Sequence, residues 1–251
     1  MKKVFKFFIQ FYLKLLTKAV IWRHKPLIIA VAGTTNKTFI KEVILDELGR
    51  GVDVRGNPKS FNTEIGLPLA VLYLPSGYSS IFRWVDVLLT GSCISVFSRK
   101  FPRVLVLEMG VDQKGDMEYL LSMVKPTIAV LTTVKGDFSQ NETYLDDIVD
   151  ELGCLVASVP KGGAVILNGE DERVRKLEEK TNVKVVVHGN DQQCDARISN
   201  VESTVEGQKF SLEYKGKAET IKTERRGRHN VNALVVAKIV ATQLKEIKKG
   251  Q

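Results

Sequence analysis

From Leu27 onward, short apolar runs alternate with segments whose apolar residues recur at three- and four-residue spacing, the pattern of parallel strands joined by helices. The runs predict strands at 27–32, 104–107, 128–132, 164–167 and 183–187, with helices at 37–48, 115–123, 145–158 and 172–180 between them. After Asp195 the period changes to alternation, giving strands at 196–202, 209–214 and 218–223 bounded by Glu206-Gly207 and Lys215-Gly216 turns. A last helix covers about 231–247. The expected fold class is α/β: a P-loop-type, mostly parallel sheet flanked by helices, with a small antiparallel β subdomain near the C-terminus.

Ahead of this pattern, residues 1–24 place Lys3, Lys6, Gln10, Lys14 and Thr17 at helical spacing, with Phe5, Phe8, Phe11, Tyr12, Leu15, Leu16 and Trp22 around the rest of the helix. Lysines at positions 6, 14 and 18 interrupt the run of ~20 apolar residues that a membrane span needs, and no small-residue cleavage site follows as in a signal peptide. Two placements suit such a helix: flat on a membrane surface, or packed by its apolar face on the domain or on a partner. The apolar stretch 81–97, which carries Arg83 and Asp86, predicts another helix with the same two placements.

Composition narrows the partners. With 251 residues, 44% of them apolar, the chain can bury a substantial core. Thirty-seven Lys and Arg against 29 Asp and Glu give +8, which favours anionic partners such as nucleotides or acidic lipids. No RNA- or DNA-binding motif accompanies the charge, so nucleic acid is not expected. Cys93, Cys154 and Cys194 are far apart and in no CxxC pair, which indicates neither a disulfide framework nor a zinc site; a reducing cytoplasm is the simplest setting.

The candidate chemistry begins where the first strand ends. Ala32-Gly33-Thr34-Thr35-Asn36-Lys37-Thr38 leads from strand to helix, the context in which backbone N–H groups and a helix N-terminus hold phosphates. In that arrangement Lys37 meets the β/γ-phosphates and Thr38 ligates Mg²⁺. Val31 and Asn36 stand where the general GxxxxGK[ST] pattern has glycines.

Further blocks follow: Gly56-Asn57-Pro58 with Phe61-Asn62-Thr63-Glu64-Ile65-Gly66-Leu67-Pro68, and Val106-Leu107-Glu108-Met109-Gly110 followed by Gly115-Asp116 and Val124-Lys125-Pro126. After these come Leu167-Asn168 with Asp171, and Gly227-Arg228-His229-Asn230-Val231-Asn232-Ala233-Leu234. Their order and spacing resemble the Mur ligases, in particular the branch that adds D-alanyl-D-alanine to the muramyl tripeptide. The resemblance spans residues 27–240. It implies an ATP- and Mg²⁺-binding site with Lys37 and Glu108 in catalytic roles and Gly33, Thr34, Thr35, Asn36, Lys37 and Thr38 holding phosphates. His229 and Asn232 would lie near adenine, Thr38 and Glu108 would be metal ligands, and Asn62 and Thr63 would lie against the substrate. It further implies a carboxylate activated as an acyl phosphate and attacked by an amine, with a UDP-muramyl-peptide precursor as substrate.

The sequence also departs from the family. Asn36 replaces the glycine before the loop lysine. Where the family has a metal-holding histidine, Thr132-Thr133-Val134-Lys135-Gly136-Asp137-Phe138-Ser139 has none, with Asp137 a possible oxygen substitute. Leu152 or a neighbour stands at the family's carbamylated lysine, and His229-Asn230-Val231-Asn232 is one residue shorter than the family's HNxxN. The expected organisation is an amphipathic helix at 1–24 and a central ATP-binding domain at 25–251, without the family's N-terminal substrate domain and C-terminal lid. Two functions follow as expectations. One is ATP-dependent ligation in peptidoglycan precursor synthesis, impaired or completed by a partner chain supplying the lid. The other is a non-catalytic relative that binds a partner or, through residues 1–24, the inner membrane surface.

Overall fold

The computed structural model describes residues 2–58, 61–136 and 142–250. Its centre is one nine-stranded sheet in the order β2-β3-β1-β4-β5-β6-β7-β8-β9. The strands are β1 (Leu27–Ala32), β2 (Val54–Gly56), β3 (Val104–Glu108), β4 (Ile128–Leu131), β5 (Ala164–Asn168), β6 (Lys184–Gly189), β7 (Ala196–Thr204), β8 (Gly207–Tyr214) and β9 (Lys217–Thr223). All pairings from β2 to β7 are parallel, and β7-β8 and β8-β9 are antiparallel. The antiparallel strands are thus hydrogen-bonded onto the parallel sheet through β6. Tyr214 pairs with Lys217 across a two-residue loop in which Lys215 and Gly216 both have positive φ, the hairpin geometry that matches strand twist.

Helices cover both faces because the central strands are apolar on both sides. Ile28, Ala30 and Ala32 of β1 join one core with Leu67 and Val71 of α3 (Gly66–Leu72), Met117 and Leu120 of α5 (Asp116–Leu121) and Leu145, Ile148 and Leu155 of α6 (Glu142–Ser158). Ile29 and Val31 face the other way, onto Ile40 and Ile44 of α2 (Lys37–Leu48) and Val235 and Ile239 of α8 (Arg228–Lys249). Each such Ile, Val or Leu stabilises the fold by about 1.5–3 kcal/mol relative to an exposed position. A third cluster joins α1 (Lys2–His24) and α4 (Ile81–Phe97) to α3 through Ile9, Leu13, Leu69, Leu72, Trp84 and Val87. The α1 helix therefore does pack on the domain, by one face.

The sequence pattern anticipated neither β2 nor α3, and the expected helix 172–180 divides into α7 (Glu172–Arg175) and a 3₁₀ turn, Lys176–Lys180. What positions the site is the order of the central strands. From β1 the chain passes to β2 and β3 on one side, then crosses to β4 and β5 on the other. Ligands in open α/β sheets bind outside the carboxyl ends of strands at such a reversal.

Candidate functional site

The loop between β1 and α2 is stitched to the end of β4. Thr34 sends both its amide (2.8 Å) and its Oγ1 (2.9 Å) to the Thr133 carbonyl, Thr132 Oγ1 donates to the Thr35 carbonyl (2.8 Å), and Lys135 N donates to Thr34 Oγ1 (2.8 Å). Gly33 is required here: at φ +135° an added Cβ would stand 2.1 Å from Thr132 Oγ1. Asn36 takes the left-handed conformation at φ 61°, ψ 8°, which a glycine takes without strain and which asparagine tolerates best among the rest. It is the N-cap of α2, yet its side chain makes no capping hydrogen bond. The first amides of α2 are therefore free of a side-chain cap, and with the helix dipole they favour an anion.

Beside that helix terminus the predicted catalytic and metal residues converge. Lys37 Nζ donates back to the Thr34 carbonyl at 3.2 Å. Burial holds its ammonium below the usual lysine range, against the opposing pull of Glu108 and Asp112. Thr38 Oγ1 donates to Glu108 Oε2 at 2.7 Å, and Asn62 Nδ2 donates to Glu108 Oε1 at 2.9 Å. Among the described residues no group of three or more His, Cys, Asp and Glu could hold a metal. A cation at Thr38 and Glu108 would complete its shell with phosphate oxygens and water, the all-oxygen coordination that Mg²⁺ takes.

Glu108 is held in place by Asn57. The Asn57 amide accepts from Glu108 N (2.8 Å) and donates to the Glu108 carbonyl (3.1 Å) and the Phe61 carbonyl (2.9 Å). Asn57 is held in turn by Lys41, wholly buried, whose Nζ donates to the Asn57 carbonyl at 2.6 Å. Sequence reasoning gave neither Lys41 nor Asn57 a role. Thr63 is exposed and lines a cleft of about 270 Å³ with Glu64, Gly110, Asp112, Gln113, Asp116 and Leu120.

His229 and Asn232, from the start of α8, do reach the loop. They line a narrow recess of about 20 Å³ with Asn36, Ile40, Thr132, Thr133, Asn168 and His188. His229 stacks edge-on against Phe39 and contacts the Asn230 amide at 3.0 Å. Asn232 Nδ2 lies 3.4 Å from Glu170 Oε2, while Glu170 Oε1 pairs with Arg228. His188 is buried with Nδ1 unpartnered; desolvation pushes its pKa down to about 4, Glu170 opposing and Arg228 assisting. Nothing in the sequence pattern marked it.

The expected departures also have structural counterparts. Leu152 is buried in the core, and its neighbour Glu151 accepts from Gly115 N (2.8 Å) and Met117 N (2.7 Å), closing the start of α5. Asp171 caps α7 through Arg173 N and Val174 N and also accepts from Val134 N at 2.8 Å. Asp137, Phe138 and Ser139 lie outside the described residues.

With the geometry in hand, the comparisons with known proteins decide the family. Residues 86–241 match the family described as Mur ligase middle domain. The chain belongs to the Mur ligase family. It is 25% identical over 219 residues to the UDP-N-acetylmuramoyl-tripeptide--D-alanyl-D-alanine ligase of Bacillus subtilis (strain 168), covering 87% of this chain and 42% of that protein. The ligase of the same name from Escherichia coli (strain K12) is 22% identical over 232 residues, covering 89% and 45%. Among solved structures, MurF from Acinetobacter baumannii superposes with a TM-score of 0.75 at 19% identity, covering 96% of this chain and 48% of that one. MurF ligase from Thermotoga maritima in complex with ADP superposes with a TM-score of 0.72 at 18% identity, covering 94% and 49%. The chain thus spans less than half the length of these ligases and is a Mur-ligase-like relative of peptidoglycan precursor ligases.

Proposed function

We propose that this chain binds Mg-ATP at residues 32–38 as the nucleotide-holding part of an ATP-dependent ligase acting on a peptidoglycan precursor. The observation that carries the proposal is the convergence of Lys37, Thr38 and Glu108 at the uncapped N-terminus of α2, with Thr38 Oγ1 and Glu108 Oε2 at 2.7 Å. The α2 amides and Lys37 would hold the phosphates. Thr38 and Glu108 would hold Mg²⁺, which supplies charge neutralisation on the phosphate oxygens. His229 and Asn232, across the recess from Asn36, suit the base side of the nucleotide. Asn62, bonded to Glu108, and Thr63, which lines the adjoining cleft, would lie against the substrate. The same proposal gives a UDP-muramyl-peptide precursor as carboxylate substrate and cytoplasmic work. It assigns closure over the nucleotide to residues beyond the central domain, on this or a partner chain.

Isothermal calorimetry with Mg-ATP tests it: the native protein binds, and Lys37→Ala binds at least about a hundredfold more weakly, the scale of a lost charge-assisted phosphate contact. Absence of binding by both the native protein and Asn36→Gly would overturn the proposal.

A second reading has an observation of its own. Leu152 or a neighbour stands where the family has its carbamylated lysine; Leu152 is buried in the core, and both oxygens of Glu151 are occupied by backbone amides. A non-catalytic relative would bind nucleotide without turning it over, and residues 1–24, apolar on the exposed face of α1, would attach it to a membrane surface. ATP bound stoichiometrically without phosphate release, with or without precursor, would favour this reading.

A further inference from the structure

α1 and α4 pack side by side and run in the same direction, since Tyr12 Oη lies 2.9 Å from Ser92 Oγ and Ser95 Oγ donates to the Leu16 carbonyl at 3.4 Å. Gly91 permits the approach: an added Cβ would stand 3.0 Å from Leu16 Cδ1. The inner sides of both helices are spent on the core, with Ile9, Leu13 and Val20 of α1 and Trp84 and Val87 of α4 buried.

The outer sides are apolar as well. Of the sixteen exposed large hydrophobic residues among those described, twelve lie on these two helices, with Phe7 70% exposed, Trp22 78% and Phe82 88%. At 3.6 residues per turn, positions 4, 8, 11, 15 and 22 form one stripe opposite Leu13 and Val20 and adjoining Tyr12. Positions 82, 85, 89 and 96 form another, opposite Val87 and adjoining Ser92. Tyr12 and Ser92 touch, so the two stripes lie side by side and face the same way, making one apolar surface two helices wide.

Charge selects what covers it. Neither Asp nor Glu occurs in α1, and α4 carries Asp86 as its single acid. Exposed cations stand on the same helices or directly after them: Lys6, Lys18, Arg23 and Lys25 at α1, Arg83 and Lys100 at α4. An apolar patch of this breadth marks an interaction site. A second copy of the chain would set two acid-poor, net-positive helix pairs against each other, which like-charge repulsion opposes. An anionic lipid surface satisfies both features, since aromatic and aliphatic side chains enter the headgroup boundary while Lys and Arg meet lipid phosphates. Among the described residues no helix is long and apolar enough to cross a membrane, so the pair would lie in the interface plane.

We propose that α1 and α4 together form a two-helix docking platform for an anionic membrane surface, α4 contributing as much as α1. The proposal rests on the membrane reading of residues 1–24 and extends it to a helix far away in sequence. Cosedimentation of the full chain with vesicles of phosphatidylcholine and phosphatidylglycerol, and with phosphatidylcholine alone, tests it. The native protein pellets with the anionic vesicles and less with the neutral ones. Phe82→Ser with Leu89→Ser on α4, and Phe8→Ser with Phe11→Ser on α1, each weaken binding by at least about tenfold. All four residues are exposed, and an unchanged thermal midpoint verifies that the variants keep the fold. Native binding by the α4 variant, with binding lost in the α1 variant, overturns the platform and leaves the reading of residues 1–24 standing. If the native protein pellets with neither vesicle, both fail. A native dimer that the α4 variant converts to monomer in sedimentation equilibrium assigns the face to a second copy and overturns the platform.

Discussion

At the carboxyl ends of β1 and β3, Thr38 and Glu108 turn polar atoms toward one another beside a helix terminus without a side-chain cap, and Lys37 Nζ lies on the Thr34 carbonyl of the same loop. At the carboxyl ends of β4 and β5, the polar side chains are spent on the protein itself. Thr132 holds the Thr35 carbonyl, Asn168 holds Thr133 and Glu170, and Asp171 holds Val134 and the first turn of α7. Glu151 of α6 is likewise occupied by the start of α5. A carboxylate already accepting two or three amide hydrogen bonds gives up that energy to bind a cation, whereas one bonded to a hydroxyl and an amide side chain can exchange them for metal and water. In this fold, holding a nucleotide and holding a second cation are separable tasks. On the proposed reading the first region serves the nucleotide, while the polar groups at the ends of β4 and β5 brace the fold.

The join between the two regions is the most fragile point. Gly33→Val places a branched side chain at φ +135° and against Thr132 Oγ1, 2.1 Å from the new Cβ. We expect a loss of about 4 kcal/mol in urea denaturation. A midpoint close to native would mean that the loop and the β4 end are not mutually dependent, and the comparison would lose its basis.

Next in size is His188, on β6 behind the recess. Its folded pKa of about 4 lies below the ordinary value of 6.5, so the unfolded chain binds the extra proton first. Stability from the neutral imidazole is complete above pH 6.5 and drains away as pH falls toward 4, a loss of about 3 kcal/mol. Urea unfolding across that window should show the decline, and His188→Gln should flatten it. An identical slope in the variant would show that other groups carry the pH dependence.

Asp171→Ala separates scaffold from site. Losing the α7 cap and the Val134 acceptor should cost about 1–2 kcal/mol of stability. Mg-ATP affinity should stay within about twofold of native, because Asp171 contacts no predicted phosphate or metal group. A large loss of affinity in calorimetry at full folding would place Asp171 on the ligand side of the comparison.

How far the sequence disclosed all this depended on how local each signal was. Central strands such as β1 and β5 were legible because burial on both faces makes them unbroken apolar runs. β2 is three residues with Arg55 in the middle, and α3 is a seven-residue apolar run, too short for a helical period to register. Periodicity marked 172–180 as helical, yet α and 3₁₀ turns share that signal over so short a span. In the site, Lys37, Thr38 and Glu108 stood within recognisable blocks. Asn57 acts on Glu108 across 51 positions and Lys41 on Asn57 across 16, so only the folded chain reveals that one holds the other. The two apolar helices were legible singly, and their common outer face was not.

The smallest effect bears most directly on the phosphate loop. Asn36 occupies at φ 61° a conformation that glycine takes more easily, while glycine would add conformational freedom to the unfolded chain. These terms oppose each other, so Asn36→Gly should change stability by less than about 1 kcal/mol. Ligand binding has no such cancellation. The side chain borders the recess shared with Thr132, His229 and Asn232, and it makes no capping bond whose loss would weaken α2. Removing it clears the approach to the α2 amides and should tighten Mg-ATP binding about threefold, about 0.7 kcal/mol, in calorimetry. Equal affinities would mean that the loop reaches the phosphates by its backbone alone, and that the left-handed turn, rather than the glycine that usually makes it, is what the site requires.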